Sequence, residues 1–311
     1  IERLIVEVGR ESLFFGAKMA HGLQQVLPAG DLTVVVNVAD DTERFGLLVC
    51  PDIDTVMYTL AGLADREQGW GVAGDTYTAL GMLGRYGEDA WFRIGDADLA
   101  THLRRAHLMA AGRSLTDATA NMAAALGVAS RIVPASDDPV RTRVLVDGGE
   151  LDFQEYFVRR GQADAVRGLR FDGVENAAPS PAALAAIGEA ELIVIGPSNP
   201  LVSIGPILAI PGLREAIGSS AATKVGVSGI VAGRALRGPA DRMLASLGHE
   251  PTARGVARLY AGLIDRFVID EADVELAPTI EALGMAVSVL PTIMRDDEGR
   301  AALAGAIVGL C

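Results

Sequence analysis

Two pairs of aspartates and one loop carry most of the chemistry this sequence can offer. Asp40 and Asp41 follow the apolar run Leu32 to Val38, which reads as a buried parallel strand that also delivers Asn37 to its carboxyl end. Adjacent carboxylates there are costly unless solvated, paired or bound to a cation. Mg²⁺ suits them, because it takes one or two carboxylates together with substrate phosphates; a polar Asp-Asp-Thr turn is the simpler alternative. Asp52 and Asp54 come next, in Cys50-Pro51-Asp52-Ile53-Asp54-Thr55. Pro51 and Asp52 suit a helix start. Asp54 lies inside the first turn, where capping does not account for it. The loop is Gly196-Pro197-Ser198-Asn199-Pro200 with Ser203-Ile204-Gly205-Pro206-Ile207-Leu208, after the strand-like run Leu192 to Ile195. Its hydroxyl, amide and open backbone N–H groups suit a phosphate or a sugar edge, and a Pro/Gly connector is the plain alternative.

The elements that must position these groups alternate. After a first strand at Leu4 to Val8, a helix through about Val26 carries Gly16-Ala17-Lys18, and Lys18 can reach an anion or stay solvated. Another helix runs from Pro51 to about Ala64. Helices read from Thr76 to Arg85, Asp98 to Ala110 and Ser114 to Leu126, with Ser114 and Asp117 as a capping pair. Asp98 reads as a cap of its helix and His102 as a residue of an apolar helical face. Asp137 and Asp138 read as a structural acidic turn. Arg143 to Asp147 and Leu151 to Phe157 flank Gly148-Gly149 as a hairpin. Ser180-Pro181 starts a helix. Strands at Lys224 to Ser228 and Phe267 to Ile269 alternate with helices, including Val256 to Ile264. This pattern predicts an α/β fold, a Rossmann-like and mostly parallel sheet. Strands are scarce from 56 to 127. The expected organisation is a core of residues 1–55 and 127–311 with a helical sub-domain, 56–126, inserted.

The 311 residues carry a net charge of −13, which disfavours nucleic acid as a partner. Cys50 and Cys311 build neither a disulfide framework nor a zinc site, so a reducing cytoplasm is expected. The longest uncharged run, Ile195 to Leu213, holds four prolines and is no membrane helix. Together with the lack of a signal-peptide pattern, this gives the expectation of a soluble protein. No nucleophile elbow, Walker loop or dinucleotide-binding glycine motif is present, and the four histidines lack zinc spacing. The residues alone thus indicate nucleotide or phosphate-ester chemistry.

The sequence also resembles the 2-phospho-L-lactate transferase family of coenzyme F420 biosynthesis. The likeness rests on Ser198-Asn199-Pro200 with Ser203 to Leu208, and on Asn37 with Asp40-Asp41. It also rests on Pro51-Asp52-Ile53-Asp54-Thr55, on Gly95-Asp96-Ala97-Asp98-Leu99-Ala100-Thr101-His102, on Ser114 to Asp117 and on Ser136 to Pro139. Two features depart from the family: Gly9 to Phe15 is longer and bulkier than its glycine-rich loop, and Gly229 stands where the family usually has Pro.

The resemblance implies transfer of a phospho-acid, phosphoenolpyruvyl or 2-phospho-L-lactyl, from a guanosine diphosphate conjugate to the deazaflavin Fo, with release of GMP. A glyceryl donor is a further variant. It implies Mg²⁺ on Asp40 and Asp54, and Fo against Asp54, Trp70 and Arg93. Lys18, Ser198, Asn199, Pro200 and Gly205 would meet the donor. Asp54 is also the simplest acceptor for the hydroxyl proton. A homodimer follows from family precedent. A non-catalytic nucleotide-binding regulator from a sister branch is the competing reading.

Overall fold

In the computed structural model, residues 2–6 and 13–310 are described, with side chains from Gly16 onward; the bulky Gly9-to-Phe15 stretch lies outside them except for the backbone of 13–15. Seven strands form one sheet: β1 Glu2–Val6, β2 Leu32–Val36, β3 Arg131–Pro134, β4 Ala190–Ile195, β5 Thr223–Val227, β6 Arg266–Ile269 and β7 Ala286–Val289. Their order is β7-β6-β5-β4-β1-β2-β3. Every neighbouring pair is parallel. The strand order reverses between β1 and β4. In doubly wound sheets that reversal opens a crevice at the carboxyl ends of the strands. β2 and β4 deliver Asn37 to Asp41 and Gly196 to Pro200 to that end.

The helices are α1 Leu13–Val26, α2 Pro51–Leu60, α3 Thr78–Arg85, α4 Asp96–Ala110, α5 Leu115–Ala125 and α6 Pro181–Glu189; then α7 Ile204–Ala209, α8 Leu213–Ser219, α9 Ala240–Ser246, α10 Ala253–Tyr260, α11 Ala277–Glu281 and α12 Asp297–Val308. One group packs α1 against α2 and α12, and another packs α8 against α6 and α7. All five residues of β2 are buried, as a parallel strand covered on both faces must be. The same core cluster takes Ile53, Val56 and Met57 of α2. From Leu60 to Leu115 the described chain is helix and turn apart from one bridge, Ala64 to Val72. No described helix is long and apolar enough to cross a membrane.

Local signals placed several elements correctly. Ser114 Oγ accepts the Asp117 N–H at 3.0 Å, and Ser180 caps α6 ahead of Pro181. Asp137 and Asp138 accept the N–H groups of Thr116 and Ala178, a structural use. Three readings need correction. The predicted second hairpin strand stops at Asp152, and Glu155–Arg159 is a π-helical turn. Phe153 and Tyr156 leave strand geometry to fill a satellite cluster with Val144, Val202 and Met243. A third strand, Gly168–Asp172, pairs with Arg141–Val146. Finally, Asp98 does not cap α4: the Asp75 carboxylate does, accepting the N–H of Ala97 at 2.8 Å and of Asp98 at 3.0 Å. That frees the Asp98 side chain for the site.

Candidate functional site

Three cavities lie beside a small apolar partition, two of them sharing wall residues. The largest, about 510 Å³, is lined by Trp70, Trp91, Arg93, Phe157, Arg237 and Arg242 among others. A narrow slot shares Trp70 and Arg93 with it and reaches Asp54, Tyr58, Phe92, Asp98 and His102. The third, about 210 Å³, holds Asp40, Asp41, Arg44, Arg141, Thr142 and Gln154. The partition is the cluster of Val49, Phe92 and Ile94 with Trp91 and Phe45. Trp91 and Phe92 pack edge to face at 5.7 Å, so consecutive residues wall two different cavities.

Asp54 is the centre of a buried charge network. Arg105 of α4 forms a hydrogen-bonded ion pair with its Oδ1. His102 Nδ1 stands 3.6 Å from Asp54 Oδ2, and His102 Nε2 stands 3.4 Å from Asp98 Oδ2. Tyr58 donates to Asp98 at 2.8 Å and lies 2.7 Å from Thr101 Oγ1. A guanidinium only donates, so the 3.2 Å contact of Arg105 Nη1 with His102 Nδ1 makes that nitrogen the acceptor. The proton of the neutral ring then sits on Nε2, facing Asp98. Burial raises the Asp54 carboxyl, against the opposing pull of Arg105. Burial also acts to raise Asp98, but hydrogen bonds from His102 and Tyr58 help to outweigh it and leave that group lowered. Among the described residues Asp54 Oδ2, itself buried, accepts no hydrogen bond. One oxygen of Asp54 is therefore anchored and the other is buried without a hydrogen-bond partner. Asp54, Asp98 and His102 also bring one ligand atom each within 4.8 Å of one another.

Asp40 lies in the next cavity, where Thr142 Oγ1 donates to its Oδ1 at 3.1 Å and Gln154 donates to its backbone carbonyl at 2.8 Å. Asp40 and Asp54 thus line separate cavities. Asp41, between them in the electrostatics, feels the charge of Asp54 and Arg105. Burial raises the Asp41 carboxyl from 3.8 to about 7, against Arg141 and a hydrogen bond with Cys50. The folded protein therefore holds a proton between those pH values that the unfolded chain has released. Stability falls as pH rises through that window, and the penalty is absent below it. Asp41→Asn is expected to raise the unfolding free energy by roughly 1–3 kcal/mol at pH 8 and by little at pH 4. Urea denaturation at the two pH values checks this; an equal difference at both excludes Asp41 as the titrating group.

The remaining predicted residues are placed as follows. Trp70 and Arg93 come together, with Arg93 4.3 Å over Tyr77 and 5.9 Å over Trp70. Lys18 donates to Met294 O at 2.9 Å, and burial, helped by Arg300 and Arg237, lowers it to about 8. It lines a small hollow with Arg66 and Arg300, not the three cavities above. Ser198 and Asn199 are buried. Asn199 Oδ1 accepts the N–H of Leu201 at 3.0 Å, so this side chain shapes its own loop. A Cβ on Gly205 would stand 3.2 Å from Pro200 O, and one on Gly229 only 2.8 Å from Pro197 O. Gly229 is thus what lets the turn after β5 close on the loop after β4. Arg105 and Arg44 were not foreseen. His102 and Arg105 at i and i+3 of one helix, with Asp98 at i−4 from His102, were the available signal for the network.

A doubly wound parallel sheet with acidic strand ends beside an aromatic, arginine-lined cavity defines a ligand-binding α/β protein of the nucleotide-binding type. A family model described as 2-phospho-L-lactate transferase CofD matches residues 16–283, and the chain belongs to that family. It is 43% identical over 295 residues to the phosphoenolpyruvate transferase of Streptomyces griseus, covering 93% of each chain. To the 2-phospho-L-lactate transferase of Methanosarcina mazei it is 38% identical over 292 residues, covering 94% of this chain and 95% of the other. A UPF0052-family crystal structure from Bacillus halodurans shares the fold, with a TM-score of 0.62 at 18% identity over 99% of this chain and 98% of that one. By family, then, the protein is a transferase.

Proposed function

We propose that the protein transfers a phospho-acid group, phosphoenolpyruvyl or 2-phospho-L-lactyl, from a guanosine diphosphate conjugate to the ribityl hydroxyl of Fo, releasing GMP. The observation that carries this reading is the junction of the Trp70/Arg93 cavity with the Asp54 slot, beside the Asp40 cavity. A planar ring system fits between aromatic walls and a guanidinium. Its hydroxyl tail points toward carboxylates, where charge on a diphosphate must be neutralised. The donor set is of hard oxygens, and the buried, unpartnered Asp54 Oδ2 fits a divalent cation of the Mg²⁺ kind. Asp54 would hold it from the slot and Asp40 from the neighbouring cavity. When bound, Mg²⁺ supplies charge neutralisation at the donor phosphates. Arg105 anchors and orients Asp54. Trp70 and Arg93 orient Fo, and the loop Ser198 to Pro200, closed by Gly205 and Gly229, cradles the nucleotide half. Positioning two substrates in line supplies much of the rate in such transfers.

Incubation with Fo, the guanosine diphosphate conjugates and Mg²⁺, followed by mass spectrometry, tests the proposal. The expected product is Fo enlarged by one phospho-acid group, with one GMP per product. Tight nucleotide binding without turnover on any donor would instead favour the regulatory reading.

A further inference from the structure

Arg44 lines one of the three cavities and touches a wall residue of each of the other two. It lines the Asp40 cavity. It also stacks 4.5 Å from the centre of Trp91, which walls the large cavity, and 5.4 Å from that of Phe92, which walls the Asp54 slot. Among the described residues it makes no hydrogen bond and no ion pair, and its Nε is buried without a partner. Arg159 also faces Trp91, at 5.6 Å, but is paired with Asp89 at 3.1 Å. Arg143 and Arg141 in the same cavity are held by Asp152 and by backbone carbonyls. The carboxylates of Asp89 and Glu155 act on it only from a distance, so a half-buried guanidinium with five donors and no hydrogen-bonded acceptor is left to receive an anion.

The backbone fixes it there. Arg44 ends the strand Thr42–Arg44, which returns as Leu47–Val49 through Phe45 and Gly46. Phe45 has φ 54° and Gly46 φ 74°, the pair of left-handed residues of a tight primed hairpin turn. A phenylalanine in that region is strained. It is held because Phe45 packs into the partition with Phe92 and Ile94.

We infer that Arg44 binds the phosphoryl group in transit, a role that rests on the transferase reading above. The step is a displacement at the acid-bearing phosphorus. The acceptor hydroxyl oxygen bonds to that phosphorus as its bond to the bridging oxygen breaks. The electron pair leaves on the guanylate oxygen, and the hydroxyl proton passes to solvent or to the departing guanylate. Negative charge builds on the phosphoryl oxygens between donor and acceptor, and a planar guanidinium at the partition is placed to receive it.

The test uses the full chain with Arg44→Ala and Arg44→Lys. Arg44→Ala is expected to lower kcat about 100-fold or more while Fo affinity, read by its fluorescence, stays within about twofold. Guanidinium ion added to Arg44→Ala should restore part of the rate. Arg44→Lys, which keeps the charge and the stem but loses the planar fork, should recover only partly; it also serves if the alanine variant fails to fold by urea denaturation. Turnover of a folded variant within about threefold of the parent, or a loss confined to Fo affinity, overturns the assignment. Calorimetry with inorganic diphosphate separates this from failure of the transferase reading. If the parent transfers nothing, a tenfold or greater weakening of diphosphate by Arg44→Ala still supports the anion site, and equal affinity rejects it.

Discussion

Arg105→Met is expected to lower the unfolding free energy by about 3–5 kcal/mol. Arg105 is fully buried and Asp54 nearly so, so removing the guanidinium leaves a carboxylate with its desolvation cost and without its principal counter-charge. Methionine keeps most of the volume and the apolar stem, so packing loss contributes little. The same substitution also removes the donor to Leu48 O at 3.1 Å and to His102 at 3.2 Å. Removing both partners, in Arg105→Met with Asp54→Leu, should cost clearly less than Arg105→Met alone, because no unpaired charge stays behind. Urea denaturation of the two variants beside the parent gives the comparison. A double variant as unstable as the single one would show that packing, not charge, sets the cost. Arg167→Met, which breaks a fully exposed pair with Asp147, is the control and should leave the urea midpoint unchanged.

Asp40→Asn is expected to reduce turnover about a thousandfold, with stability near that of the parent. Asn is isosteric and still accepts the Thr142 hydroxyl that now reaches Asp40 at 3.1 Å, so the local structure has no reason to change. What disappears is a negative charge at the end of β2, where a divalent cation and donor phosphates are proposed to meet. Charge stabilisation by such an ion is worth several kcal/mol, and each 1.36 kcal/mol is a factor of ten. Turnover measured against Mg²⁺ concentration, with Fo binding followed separately, distinguishes the outcomes. Near-normal activity, or a loss that comes wholly from Fo affinity, removes Asp40 from the metal site.

The main sheet was legible because its strands announce themselves locally. Leu32 to Val36 and Leu192 to Ile195 are short β-branched runs between turn residues, and runs of that kind alternating with helices leave few arrangements other than a parallel sheet. The caps at Ser114 and Ser180 were legible for the same reason: donor and acceptor lie three residues apart. The family motifs marked Asp40, Asp54 and Arg93, while Trp70 was legible only as core or as a stacking platform; Asp54, Trp70 and Arg93 line one connected region. Asp98 misled, because an aspartate at a helix start is usually a cap, and here Asp75, 22 residues before Ala97, takes that task.

By itself, then, the order of residues determined the layered α/β fold and the strand ends from which chemistry could be done, since propensity, capping and hydrophobic period act over a few positions. Only the tertiary structure decided the partners. Arg105 reaches Asp54 across 51 residues, and Arg44 meets Trp91 and Phe92 from a separate hairpin. Such meetings are set by how helices and hairpins pack around a shared apolar partition, and no local spacing encodes which distant side chains that packing will bring face to face.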